Sequence, residues 1–215
     1  MISGGKRSRY VSFMPTHAIA SVVYPVANRL LKWNGIPEDR RNHAHGLASW
    51  AGQQMDAARI GERLYAGKGV GIDLSDIDQH PFWPLETAAG NLVFRCVATA
   101  LDLCAASASH LSDSTALRAP PMREADVHSA KLPQGSPFSS WLNALQDRNW
   151  ELLTDLRNQY THRGVVRDLF IGGPTRAEVR DSNGKAHDLA TIFRTMIIFG
   201  DEQLVAFWRV VDGVV

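Results

Sequence analysis

The 215-residue sequence lacks an excess of either charge, since 23 Lys and Arg residues stand against 22 Asp and Glu residues. Proteins that coat nucleic acid without sequence preference are strongly basic, so a formal net charge of +1 excludes that class. Any contact with nucleic acid therefore requires a local basic patch. The sequence contains no uninterrupted apolar stretch long enough to span a membrane, and its start has no apolar segment of the signal-peptide type. These absences predict a soluble protein without a membrane partner.

Cysteine is scarce, because Cys96 and Cys104 are the only two in the chain. Within a helix, eight residues separate two positions by about 12 Å, which is beyond the reach of a disulfide. We therefore expect two buried, reduced thiols and a cytoplasmic location.

Motifs for metals and cofactors are missing as well. His43 and His45 stand two apart, a spacing that turns side chains to different sides of a helix, and no third ligand is fixed nearby. The glycine-rich stretch 67–71 lacks the spacing of a phosphate loop, and the acidic run 73–80 does not fit a calcium loop. We predict no metal and no cofactor, and keep a metal enzyme built on these residues only as an outlier.

What the sequence does have is helical periodicity. Apolar residues recur at three- and four-residue spacings in five segments, at about 16–33, 42–66, 85–109, 136–164 and 188–211. Between the last two segments, Asn183-Gly184 inside 175–187 predicts a β-hairpin. We predict a mainly α protein, a bundle of about five long helices with a small β-hairpin inserted before the last helix, forming a single domain over residues 1–215. Residues 1–15 are expected to be a flexible arm and residues 110–135 a long loop.

The segment 136–164 is the most informative. Ser136 is a good N-cap, and Pro137 suits the first helical position because its missing N–H has no helical partner anyway. Gly164 is placed to end the helix in the left-handed conformation. We predict one long helix that packs against the third and fifth helices of the bundle.

This helix ends on a short polar motif, Arg157-Asn158-Gln159-Tyr160-Thr161-His162. An Arg, a polar residue directly after it, and a His five positions beyond the Arg resemble the R-x(4–6)-H motif of the HEPN superfamily. The resemblance covers the motif and its helix, and the helical layout loosely. Members of that family are small helical bundles, commonly dimeric, and many are metal-independent ribonucleases of toxin–antitoxin, phage-defence and RNA-processing systems.

The resemblance implies a metal-independent endoribonuclease that cleaves RNA through the ribose 2′-OH. His162 is then the general acid and base, Arg157 clamps the phosphate, and Asn158 orients His162 or a phosphate. An imidazole with a pKa near 6.5 suits the proton transfers, and a permanently charged guanidinium suits the phosphoryl oxygens.

Three further arginines, Arg148, Arg163 and Arg167, are candidates for binding the RNA or nucleotide substrate. On an ideal helix Arg157 and His162 lie about 140° apart, too far to grip one atom unless the last turn unwinds or a second copy contributes. We therefore expect a homodimer in which the two motifs approach one another. A toxin of this class would also need a cognate inhibitor protein.

A second interpretation needs no catalysis. Basic side chains in the last turn of a helix stabilise it by roughly 0.3–1 kcal/mol through the helix dipole. The alternative is therefore a non-catalytic helical module that binds nucleotide, nucleic acid or a protein partner through the same basic helix end.

Overall fold

The computed structural model describes residues 17–66, 84–112, 126–128, 130–162, 170–171 and 177–215. Its helices are α1 (His17–Leu30), α2 (Glu38–Tyr65), α3 (Pro84–Gly90), α4 (Cys96–Ser112), α5 (Pro137–Leu145), α6 (Arg148–His162) and α7 (Leu189–Asp212), with a π-helical turn at Asn91–Arg95 joining α3 to α4. Three short antiparallel strands, β1 (Phe170–Ile171), β2 (Ala177–Arg180) and β3 (Ala186–Asp188), pair in that order. The predicted arm at 1–15 and most of the predicted loop lie outside the described residues.

The mainly α architecture predicted from periodicity is confirmed. Within the described residues the helices form five stretches, since α3 continues into α4 and α5 lies directly before α6. The hairpin between α6 and α7 is also confirmed: Val179 pairs with His187, and Gly184 takes a positive φ of 79° in the turn. Glycine takes this backbone conformation without steric cost. Strand β1 adds a third strand that the sequence analysis did not predict.

Helices α2 and α4 form the centre of the bundle, because their facing sides carry small side chains. The hydroxyl of Ser107 in α4 donates to the carbonyl oxygen of Ala44 in α2 at 2.9 Å, a contact that requires the two backbones to lie close together. Buried alanines occur on both helices, at positions 44, 48, 51 and 58 of α2 and 98, 100, 105 and 108 of α4.

The same central stretch, Thr87–Ser112, is long and apolar enough to cross a membrane by length and composition. In the fold, 67% of its apolar window is buried, as is usual for a core helix. The length and composition of this stretch are therefore only weak evidence that it spans a membrane. Cys96 and Cys104, both in α4, are free thiols, as predicted. Cys104 is buried, whereas Cys96 is only partly buried, so the prediction of two buried thiols is wrong for Cys96.

The segment 136–164 is not one long helix, which corrects the sequence prediction. It forms α5 and α6, separated at Gln146 and Asp147. The Asp147 carboxylate accepts from the backbone N–H groups of Asn149 at 2.8 Å and Trp150 at 3.1 Å, and so caps a new helix. Gln146 meanwhile donates from its amide to the carbonyl oxygen of Val127 at 2.9 Å, which ties the break to another part of the chain.

We expect Asp147→Ala to lower the free energy of unfolding by about 1 kcal/mol, the usual cost of an N-cap. Urea denaturation of the two proteins measures the difference. Asp147→Ser, which keeps a capping oxygen, should recover most of the loss. Equal stability of Asp147→Ala and the unchanged protein would contradict a capping role.

Helix α7 packs across the bundle through Gly200. A Cβ atom at that position would lie 2.7 Å from Cε of Met55 and 2.9 Å from Cγ1 of Val97, so glycine lets α7 approach both α2 and α4. At the start of α7, the Asp188 carboxylate accepts from the N–H of Thr191 at 2.8 Å and caps the helix.

Candidate functional site

The last two turns of α6 carry the motif, and two of its side chains anchor it in the bundle. Tyr160 is buried, and its ring packs on Phe94 of the π-helical turn with ring centroids 5.1 Å apart. Gln159 is also buried and donates to the Asp155 carboxylate one turn earlier at 3.2 Å. Helix α6 contacts the π-helical turn, α4 and α7, so the predicted packing of this helix against the third and fifth is confirmed.

Arg157 lies half-buried on the side of α6 that faces α4. Its Nη1 lies 3.5 Å from Oδ2 of Asp102, and both side chains are about one quarter exposed, at 26% and 27%. This carboxylate also accepts from the buried N–H of Val127 through Oδ1 at 3.0 Å. Asp102 therefore joins three parts of the chain, α4, the 126–128 turn and α6, and it fixes one end of the Arg157 guanidinium.

Burial raises the pKa of Asp102 above its ordinary value, and the Val127 N–H and the Arg157 charge oppose that shift only in part. The sequence analysis missed this residue. A signal was present, since Asp102 is the one acidic residue within the apolar stretch Thr87–Ser112. A lone acid in a core helix is uncommon unless it is paired, and here the partner is the arginine of the motif.

His162 closes α6, and its side chain lies outside the described residues. Because α6 is helical through both positions, the backbone positions 157 and 162 lie about 140° apart around the axis and about 7.5 Å apart along it. Asn158 is exposed beside Arg157. A single chain thus presents the arginine and the histidine position on different sides of the helix, as the sequence predicted.

Arg148 lies far from the end of the motif. It opens α6, fourteen residues before His162, which places the two about 21 Å apart along the helix. Within one chain, Arg148 is therefore too far from the end of α6 to form a basic patch with Arg157. The other two candidate substrate-binding residues, Arg163 and Arg167, lie outside the described residues.

Arg148 instead lines a polar cleft of about 830 Å³ between the first half of α6, the β2–β3 hairpin and the start of α7. Two carboxylates of this cleft already form contacts within the fold. Asp155 accepts from the N–H of Ser182 at 2.7 Å, and Asp181 lies 3.0 Å from Nε2 of His187. The hydrogen bond with His187 holds the pKa of Asp181 below its ordinary value. The cleft is therefore organised chiefly by the hairpin's own contacts.

Among the described residues, no group of three or more His, Cys, Asp or Glu side chains is placed to hold a metal ion. His43 and His45 both lie in α2, and His43 stacks on His110 instead of facing His45 as a co-ligand. The acidic run 73–80 of the outlier hypothesis lies outside the described residues.

The chain was compared with family models, curated proteins and solved structures, and no significant match was found in any of the three.

Proposed function

We propose that the protein is a HEPN-like, metal-independent endoribonuclease. The observation that carries the proposal is the pairing of Arg157 with Asp102, which holds a guanidinium at the helix end where His162 follows five residues later. The mainly α bundle and the anchoring of the intervening turn by Tyr160 are consistent with a rigid support for such a site.

The chemistry follows from the two side-chain types. His162 takes the proton of the ribose 2′-OH, whose oxygen attacks the adjacent phosphorus, and an imidazolium returns a proton to the leaving 5′-oxygen. Arg157 stabilises the charge that develops on the phosphoryl oxygens. The contact with Asp102 uses Nη1 of the guanidinium, so Nε and Nη2 remain for the phosphate. Asn158, exposed next to Arg157, is assigned to orient His162 or the scissile phosphate.

A second subunit completes the site in this proposal. Arg157 and His162 project about 140° apart, so a two-fold axis near the end of α6 would bring Arg157 of each copy to the histidine of the other. The proposed assembly is a cytoplasmic homodimer that acts on RNA, held in check by an inhibitor protein if it is a toxin or phage-defence effector.

We expect structured RNA to be cleaved by the pure protein in EDTA, and the rate to fall by about 10²-fold or more in Arg157→Ala and in His162→Ala, because each removes a charge or proton carrier from the transition state. Matched controls are Arg209→Ala, a basic residue in the last turn of α7, and Thr161→Ala, an exposed neighbour within the motif. Both controls should cleave at the unaltered rate.

Co-expression of Arg157→Ala with His162→Ala tests the dimer. In mixed dimers one of the two shared sites keeps both groups, so random pairing should restore about a quarter of the unaltered activity. Recovery near zero, with each parent protein folded and dimeric, would place the arginine and histidine of one site in the same chain.

The ion pair between Arg157 and Asp102 is also consistent with the alternative, a non-catalytic helical module. Asp102 gives Arg157 a structural partner, which accounts for the arginine without a phosphate. Under this alternative the pure protein binds RNA, nucleotide or a protein partner but leaves RNA intact in EDTA and in Mg²⁺ alike.

A further inference from the structure

A cluster of buried polar groups lies where the first turn of α2 meets the last turns of α4. Arg40 is 5% exposed and His110 is 4% exposed. Nη2 of Arg40 reaches the carbonyl oxygen of Ser109 at 3.4 Å, but its Nε and Nη1 are buried without a hydrogen-bond partner. Nδ1 of His110 is likewise buried and without a partner. Three polar atoms at this junction therefore have no acceptor or donor from the protein.

The Arg40 guanidinium places a positive charge in this buried cluster. Among the described residues, no carboxylate lies within ion-pair distance of its guanidinium. The negative end of the α4 dipole compensates only part of a buried charge. Burial lowers the pKa of His110, and Arg40 and His43 lower it further, whereas Asp39 opposes them.

We propose that Arg40 and His110 bind the phosphate group of a small phosphomonoester. A phosphate offers several strong acceptor oxygens and a negative charge, and a guanidinium and an imidazole nitrogen can both donate to it. The phosphate oxygens would supply the hydrogen-bond acceptors that these side chains lack in the fold. This site uses neither Arg157 nor His162, so it stands independently of the proposed ribonuclease activity.

A shallow hollow next to His110 could bind the remaining, non-phosphate part of such a ligand. His43 stacks on His110 with ring centroids 5.6 Å apart and planes 11° apart, and its exposed side lines a shallow hollow of about 370 Å³. Leu47 and Trp50 line the same hollow, and Trp50 is 48% exposed. An exposed indole beside a phosphate site is a stacking surface for a flat ring. Free phosphate and a nucleoside monophosphate would both bind through the phosphate group. Only the nucleotide has a base that can stack on Trp50, so this contact distinguishes the two ligands.

The test is thermal unfolding and calorimetric titration of the full chain with inorganic phosphate, ribose 5-phosphate or adenosine 5′-monophosphate, each against chloride at equal ionic strength. When the phosphate exceeds its Kd a hundredfold, Tm should rise by about 5 °C or more over the chloride control. Arg40→Met, which replaces the buried charge by an apolar chain of similar length, should abolish the rise. His110→Asn should weaken it, and Arg209→Met, an exposed change in α7, should leave it unchanged.

Comparing inorganic phosphate, ribose 5-phosphate and adenosine 5′-monophosphate shows which part of the ligand the site recognises. Tighter binding of the nucleotide than of inorganic phosphate, with the difference lost in Trp50→Ala, supports a nucleotide site; equal binding supports a site for the phosphate group alone. The proposal is overturned if no phosphate compound raises Tm above chloride, or if folded Arg40→Met responds as strongly as the unaltered protein. RNA cleavage plays no part in these readouts, so loss of the ribonuclease proposal would leave this result intact.

Discussion

Phe94→Ala is expected to lower the free energy of unfolding by about 3–5 kcal/mol, the usual range for removing a buried phenyl ring. Phe94 is fully buried in the π-helical turn, and its ring lies 5.1 Å from that of Tyr160 in α6 and 5.3 Å from that of Phe193 in α7. It thus joins three elements at one point, and its loss opens a cavity against all three. Chemical denaturation monitored by circular dichroism measures the change.

Two controls separate the lost contacts from a general loss of apolar volume. Phe94→Leu should cost clearly less, because it keeps most of the volume while removing the ring edges. Ile198→Ala, at an exposed site on α7, should stay within about 0.5 kcal/mol of the unaltered protein. A Phe94→Ala protein as stable as Ile198→Ala would show that the ring does not bridge the three helices.

Under the proposed ribonuclease function, Asp102→Asn is expected to reduce RNA cleavage by about 10²-fold while leaving the fold nearly as stable as before, because a small displacement of a catalytic group costs about that much in rate. The asparagine can still accept from the N–H of Val127, but it cannot form the ion pair that fixes Arg157. Because burial raises the pKa of Asp102, the neutral form is well tolerated in the folded protein, and asparagine resembles that form.

Asp102→Ala is the matched comparison. It removes the acceptor as well, leaving the buried Val127 N–H unsatisfied at a cost of about 1–3 kcal/mol in stability. A pH series adds a second readout: folded Asp102 binds its proton more readily than the unfolded chain, so its contribution to stability rises as pH falls through the raised pKa toward 3.8. Asp102→Asn should lack that contribution. Full cleavage by a folded Asp102→Asn protein would limit Asp102 to a structural role.

Much of the fold could be predicted from the sequence because its local rules agree with the tertiary packing. Ser136 caps α5, Asp188 caps α7, and Gly184 forms the hairpin turn, each by a backbone preference that acts within a few residues. Gly200 lies on an apolar stripe where only a close neighbour explains a missing side chain. Such features need no knowledge of distant contacts.

The break between α5 and α6 could not be predicted in the same way. Gln146 and Asp147 are compatible with a solvated helix face, and the hydrogen bond that fixes the break is accepted by Val127, 19 residues earlier in the chain. Asp102 escaped notice for the same reason, since its partner Arg157 is 55 residues away. Arg148 was grouped with the motif by sequence proximity, although a helix of fifteen residues separates its two ends. Nonlocal pairing decides the first two cases, and the rise of one helix decides the third.

The π-helical turn at Asn91–Arg95 also limits how the sequence can change in length. Such a turn holds one residue more than an α-helical path, so the residues before it are rotated by about 100° relative to those after it. This offset brings Gly90 against the ring of Tyr160, where any larger residue would overlap the ring. A single-residue deletion within 91–95 would undo the rotation and separate these two positions. Homologues with a gap there should therefore carry compensating changes at both.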